Sequence, residues 1–360
     1  MARKTITKRA EIAGRKLLIK IYGLFQPKQV FSSIPFDYKP RRILFLRHDR
    51  IGDMAVTIPF FRAIKRKLPD ADIGILVSLR NKILLRYEPD YHLITYRKRP
   101  DLFFRSLGKV FRWHPDVVVD LQLKESVTST TFAIASRAKW RVRIKRDVKL
   151  PFNVYVDVGE FWHIQDEMRA LFSAVAPIDI DEVPKGIMLS ERERKFAEDF
   201  FSKVSAPREK LIGLNISAGF AVRMLSAEDN KRIASHILRR GFVPVILYEP
   251  RDLGIAREIC DGVRGAYLGP LCPDILHAAA IIEKLNLIVT PDTSVVHIAS
   301  GFGVPTLALY TANEWNRRRW LPWGVKYRWV ASTDYDSLKG IKIGEILKNL
   351  DELMYSTYNI

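Results

Sequence analysis

The 360-residue sequence predicts an α/β protein built from two doubly wound domains with parallel sheets. Short apolar runs alternate with stretches of helical periodicity from Arg42 onward, the pattern of parallel strands joined by right-handed helical crossovers. The alternation restarts after Ser205–Lys210, giving two series. The length also exceeds the prior of about 150 residues for one domain.

In the first series, Ile43–Leu46 reads as a strand and Met54–Lys67 as a helix ended by Pro69. Ile73–Val77 and Val117–Asp120 are further strands, and Ser126–Ser136 is helical. Trp140–Lys145 alternates Trp140, Val142 and Ile144 with Arg141, Arg143 and Lys145, the period of a strand with one basic face. Phe161–Val175 and Glu191–Val204 read as helices. In the second series, Leu211–Asn215, Val243–Tyr248, Leu287–Val289 and Thr306–Tyr310 are strands. Ala227–Arg239, Ile255–Cys260, Asp274–Lys284, Val295–Ser300 and Ile343–Tyr355 are helices. The expected division is an arm at 1–41, an N-terminal domain at 42–205, a C-terminal domain at 206–335 and a closing helix at 336–360.

Composition narrows the function classes. No apolar run reaches the roughly 20 residues of a membrane span. Met1–Lys20 lacks the apolar core of a signal peptide. The two cysteines, Cys260 and Cys272, form neither a zinc ligand set nor a disulfide framework, and the expected compartment is a reducing cytosol. The net charge, 59 − 40 = +19, calls for a polyanionic partner: nucleic acid, an anionic membrane face or a phosphorylated substrate. Residues 1–42 hold eleven of those basic residues, from Arg3 to Arg42, against Glu11 and Asp37. Apolar residues from Ile12 to Phe25 make the arm either a basic amphipathic helix on anionic lipid or a segment packed locally on the fold.

Two motifs stand at strand ends, where ligands bind in doubly wound folds. Arg47-His-Asp-Arg-Ile-Gly-Asp53 joins the first strand to the first helix. Gly52 permits a tight turn or a close approach. Asp53 is either a helix cap or a general base for an attacking hydroxyl. Arg47 and Arg50 are candidates for acidic groups of an acceptor, or belong to a solvated loop. The second motif is Thr290-Pro-Asp-Thr-Ser-Val-Val-His297. Its helix N-terminus offers backbone N–H groups and a favourable dipole to a diphosphate. Thr293 and Ser294 add hydroxyl donors. Asp292 orients the turn or contacts a ribose, and His297 either donates to a phosphate oxygen or is a satisfied, partly buried histidine.

These residues carry a resemblance. Arg42–Ile73, with Asp49-Arg-Ile-Gly-Asp53, Thr57-Ile-Pro59 and Arg62-Ala-Ile-Lys65, resembles the opening of glycosyltransferase family 9, the ADP-heptose:lipopolysaccharide heptosyltransferases. Asp116–Gln122 resembles that family's strand ending in aspartate-leucine-glutamine, Leu287–Tyr310 its C-terminal signature, and Pro322-Trp-Gly324 the end of the following loop. The resemblance implies a GT-B fold whose two Rossmann-like domains face across a cleft, with the last helix returning to the N-terminal domain. It implies an inverting transfer with Asp53 as catalytic base. On the donor side stand Asp292, Thr293, Ser294 and His297, with Ser217 and Arg223 from the loop after Leu211–Asn215. On the acceptor side stand Arg47, Arg50, Gly52, Arg141 and Arg143. No cofactor or metal is required; the co-substrate is a nucleotide sugar, ADP-heptose in this family.

The sequence departs from the family around the donor motif. Ser294 replaces a glycine after aspartate-threonine. Val222-Arg-Met-Leu225 keeps one basic residue where the family often has a basic pair before tryptophan and proline. Tyr248-Glu-Pro250 replaces a glycine-rich strand end. The basic surplus is assigned to an anionic glycolipid of lipid A-core type and to the cytoplasmic face of the membrane, through Arg137–Lys149 and Arg97-Lys98-Arg99, and not to nucleic acid, for which no zinc finger or RNA-recognition motif is present. Arg317-Arg-Arg319 is either exposed or a closing contact on the diphosphate.

Overall fold

The computed structural model describes Gly14 and residues 17–88, 90–148, 150–159 and 163–358. Residues 1–13, 15 and 16 of the arm, Lys149, and Phe161 and Trp162 of the expected helix lie outside them. The chain divides into two units, one of Met1–Arg50, Pro59–Lys82 and Glu88–Pro184, the other of Ile51–Ile58, Ile83–Tyr87 and Lys185–Ile360.

The first unit holds a parallel sheet of β1 (Arg42–Leu46), β2 (Asp72–Ser78), β3 (Tyr91–Tyr96), β4 (Val117–Asp120), β5 (Trp140–Ile144) and β6 (Val154–Val156), in the order β3-β2-β1-β4-β5-β6. Its helices include α1 (Ile51–Lys67), whose first turns belong to the other unit, α2 (Pro100–Trp113), α3 (Val127–Ala135) and α4 (Ile164–Ser173). Ile43–Leu46 and Val117–Val119 are wholly buried, because helices cover both faces of such a sheet and its central strands need apolar side chains on both sides. In α1, Pro59 removes the N–H that would bond the carbonyl of Ala55, and the division between the units falls there. Thr57 Oγ1 donates to the carbonyl of Asp53 at 2.6 Å one turn earlier.

Two sequence expectations change here. β3 and α2 were not anticipated, although Pro100 at the first helical position and the buried positions Ser106 and Val110 are ordinary helix signals. Of the basic face of Trp140–Lys145, Arg143 is buried and Arg141 half-buried, while Lys145 is exposed. β5 lies between β4 and β6, so Val142, Arg143 and Ile144 are all buried.

The second unit repeats the plan. β7 (Leu211–Asn215), β8 (Val243–Leu247), β9 (Tyr267–Leu268), β10 (Leu287–Pro291), β11 (Thr306–Tyr310) and β12 (Tyr327–Ala331) run parallel in the order β12-β11-β10-β7-β8-β9. In both sheets the order reverses between the unit's first and fourth strands, the switch point where such folds bind ligands. The helices are α5 (Glu191–Phe201), α6 (Ala227–Arg239), α7 (Leu253–Gly262), α8 (Ile275–Glu283), α9 (Ser294–Gly301), α10 (Glu314–Arg319) and α11 (Ile343–Tyr358).

The expected boundary at 205/206 moves to 184/185. α5 packs on α8, with Arg194 Nη2 3.2 Å from Glu283 Oε1 and the Phe196 ring against His277. Ile346, Leu350, Leu353 and Met354 of α11 join the core of the C-terminal unit, and Asp351 accepts from Arg240 Nε at 2.8 Å at the end of α6. Its apolar stripe is therefore buried within the C-terminal unit.

Candidate active site

At the switch point of the C-terminal sheet, Asn215 closes β7 and Thr290 stands in β10. Asn215 Nδ2 donates to Thr290 Oγ1 at 2.9 Å and to the carbonyl of Ser217 at 3.2 Å. This fixes the loop that leaves β10. Thr293 is extended (φ −141°, ψ 177°) and caps α9, its hydroxyl accepting from the N–H of Val295 at 3.3 Å. A Thr cap followed by Ser294 leaves the first N–H groups of α9 at the strand end, a ready anion site. Asp292 anchors the loop. Its Oδ2 accepts from Asn316 Nδ2 at 2.7 Å and lies 3.5 Å from Arg223 Nη1.

His297 is buried in the second turn of α9, with its ring centroid 5.3 Å from that of Trp320. It also meets the first turn of α1. A Cβ on Gly52 would stand 3.2 Å from His297 Cδ2 and 3.5 Å from Ser294 Cα. Only the absence of a side chain at position 52 allows the two helix starts to come this close. Asp53 follows directly and is buried. Since α1 begins at Ile51, Asp53 is the third residue of the helix. A carboxylate in a first turn is favoured by the helix dipole. Gly52 of the first sequence motif thus meets Ser294 and His297 of the second, and Asp53 is the next residue after Gly52.

Other residues assigned from the sequence have structural partners. Ser217 is buried; its hydroxyl donates to Asp252 Oδ2 at 2.5 Å and accepts from the N–H of Glu249 at 2.8 Å. Arg47 is wholly buried at the end of β1, with Nη1 2.8 Å from the carbonyl of Leu121 and 3.0 Å from Asp49 Oδ2. It ties β1 to β4 across the switch point of the first sheet and so does not project as an acceptor contact. Arg141 holds the carbonyls of Pro151 and Ala138 at 2.7 and 3.0 Å. Arg143 lies over the Phe152 ring at 5.1 Å. Lys145 pairs with Asp157 at 2.9 Å and Arg146 with Glu167 at 3.1 Å. Arg141 is thus engaged by nearby backbone carbonyls, while Arg143 is buried at the end of β5. Arg50, Arg97 and Lys98 remain exposed. In α10, Arg319 is buried and Arg317 covers the Trp329 ring at 4.0 Å.

Two titratable groups at the first sheet's strand ends, the buried Asp120 and the half-buried His48, were missed in the sequence. Burial raises the Asp120 carboxyl to about 6, against the lowering effect of the Arg143 charge. Burial, with the charges of Arg47 and Lys98, lowers the His48 imidazole to about 4. Their positions at the ends of β4 and β1 were legible; their burial was not. Among the described residues no group of three or more His, Cys, Asp or Glu converges as a metal site.

The fold has counterparts. A lipopolysaccharide core heptosyltransferase, OpsX, of Haemophilus influenzae is 20% identical over 295 residues, covering 76% of this chain and 80% of its own. The structure of a glycosyltransferase family 9 protein from Veillonella parvula aligns with a TM-score of 0.75 at 19% identity, covering 90% of this chain and 99% of that one. E. coli heptosyltransferase WaaC with ADP aligns with a TM-score of 0.67 at 13% identity, covering 89% of this chain and all of that one (100%). At these identities the structures establish the GT-B type of fold. Residues 105–350 match glycosyltransferase family 9 (heptosyltransferase), more than half of the chain, and the chain is therefore a glycosyltransferase belonging to that family.

Proposed function

We propose that this enzyme moves a heptose, or a related sugar, from a nucleotide diphosphate sugar, ADP-heptose, to a lipopolysaccharide core acceptor at the cytoplasmic face of the membrane. The names of its relatives support the lipopolysaccharide core and ADP. The observation that supports this reading is the approach of Gly52, the residue before the buried Asp53, to His297 and Ser294.

In this reading Asp53 takes the proton from the acceptor hydroxyl. The freed oxygen attacks C1, the bond from C1 to the diphosphate oxygen breaks on the opposite face, and ADP leaves with the electron pair. The configuration at C1 inverts. Charge grows on the diphosphate as the bond breaks. The N–H groups of α9, the Thr293 and Ser294 hydroxyls and His297 oppose it in a site already ordered by Asn215 and Asp292. Arg223, held by Asp292, adds a positive charge to the same pocket. Arg50, Arg97 and Lys98 serve the anionic glycolipid. The scheme needs no metal or cofactor.

A second reading, transfer of another sugar to another surface glycan, is favoured by the donor-side departures at Ser294, Val222–Leu225 and Tyr248–Pro250. A panel of nucleotide sugars with a truncated core acceptor separates the two. For the base, Asp53→Asn is expected to bind ADP in calorimetry within about threefold of the parent and to lose transfer by roughly 10²–10⁴. Normal turnover by that variant would remove Asp53 from the mechanism.

A further inference from the structure

We infer that the outer surface of three adjoining helical segments in the N-terminal unit, residues 17–23, α3 and α2, docks on an anionic lipid bilayer. The inference extends the proposed function, since a lipid-linked acceptor brings the enzyme to a membrane, but its test uses neither donor nor acceptor.

The three segments form one layer. Ile19 and Tyr22 pack on the same core as Phe132 and Ala133 of α3 and Val110 of α2. Tyr22 and Thr131 hydrogen-bond through their hydroxyls at 2.7 Å. The Phe103 and Phe132 rings meet edge to face at 5.4 Å, and the guanidinium of Arg137 lies 5.3 Å from the Phe111 ring centroid. With the inner faces thus committed, the outer faces still carry large apolar side chains. Leu24 is 81% exposed, Phe25 67%, Phe104 65% and Leu17 60%, with Phe111 and Ile134 also exposed. Scattered exposed apolar residues are ordinary; this many on one layer mark a contact surface.

The charge identifies the partner. Lys20, Lys28, Arg105, Lys109, Arg112 and Arg137 are exposed on these segments or at their ends. Asp101, the acidic residue within α2, is paired with Arg99 at 3.0 Å. Aliphatic and phenylalanine side chains that enter the acyl boundary, ringed by lysine and arginine at headgroup level, are the composition of an interfacial membrane surface. A nucleic acid would use the cations and leave Leu17, Leu24 and Phe25 in water.

The test is sedimentation of the full chain with vesicles of phosphatidylglycerol and phosphatidylethanolamine, against vesicles of phosphatidylcholine alone. Binding is expected to the anionic vesicles, at least tenfold weaker to the neutral ones, and weakened by salt. Arg105→Glu/Lys109→Glu/Arg112→Glu is expected to lose about fivefold or more per residue. Leu24→Ser/Phe25→Ser is expected to lose at least tenfold, with the melting temperature unchanged in both variants. No binding by the parent, equal binding to both vesicles, or variants that bind like the parent would overturn the inference. So would a self-associating parent that these variants render monomeric without change in vesicle binding, since the surface would then belong to a second copy.

Discussion

Gly52 and His297 are packed so that a single methyl group on the glycine would lie 3.2 Å from the imidazole Cδ2. Residues 245 positions apart (297 − 52) are thereby held as one site, and the space between two helix starts is set by a missing side chain. Substitutions here separate folding from function.

Gly52→Ala is expected to lower turnover at least tenfold while leaving the melting temperature within a few degrees. Alanine is favoured over glycine inside a helix by about 0.5–1 kcal/mol, which offsets most of the strain of moving His297 or Ser294 by a few tenths of an ångström. Displacement of an aligned catalytic group acts on rate far more than on stability. Unchanged kcat alongside an unchanged melting curve would show that the close approach has no catalytic purpose.

Arg47 is expected to matter for the framework. Arg47→Ala removes the donor to the Leu121 carbonyl and the partner of Asp49, and should cost about 3 kcal/mol, the scale for breaking a buried charged pair. Calorimetry should show the melting temperature falling by several degrees, with Arg47→Lys recovering only part because lysine cannot span both acceptors. A variant that melts like the parent but has a raised acceptor KM would return Arg47 to the acceptor contacts.

Asp120 and His48 should pull the pH dependence of stability in opposite directions. The Asp120 carboxyl is raised from 3.8 to about 6 in the folded chain, so between those values the folded state binds more protons than the unfolded one. Its contribution is full below pH 4 and is lost as pH rises through 6, about 3 kcal/mol in all. The His48 imidazole is lowered from 6.5 to about 4, so stability is lost as pH falls through that window. Melting curves from pH 4 to 7 should show Asp120→Asn gaining on the parent as pH rises, and His48→Gln gaining as pH falls. Parallel curves for parent and variants would refute the assigned shifts.

Asn215→Ala is expected to weaken ADP binding by about tenfold and to cost about 1–3 kcal/mol. It removes the bond that holds the β10 loop and leaves Thr290 and the Ser217 carbonyl in a buried site with one donor fewer. Calorimetric titration with ADP reads the first effect and thermal unfolding the second. Undiminished ADP affinity would place the diphosphate elsewhere.

Local periodicity in the chain was enough for much of this architecture. Ala227–Arg239 and Thr306–Tyr310 lie where the sequence put them, because an amphipathic stripe or a short apolar run is read within one element. The two motifs at strand ends were legible for the same reason: a strand, a turn and a helix start follow one another along the chain. α2 was legible in principle, through Pro100 and its buried positions, but its exposed Phe104 and Phe111 blur the stripe.

The fate of individual charges was not local. Arg141 and Arg143 alternate with apolar residues as they would on a half-solvated strand, yet in the fold Arg143 is buried and Arg141 half-buried against the carbonyls of Pro151 and Ala138. Arg47 and Ser217 look like exposed loop residues until Leu121 and Asp252 arrive from far along the chain. α11 carries a stripe that fits any apolar groove, and the groove it fills is the one beside α6. Burying a charge or a polar group is tolerated only where partners satisfy it, and for Arg47 and Ser217 those partners lie 74 and 35 residues along the chain. The elements and motifs were therefore written in neighbouring residues, while the roles of Arg47, Arg141, Arg143 and Ser217 were set by contacts that only folding creates.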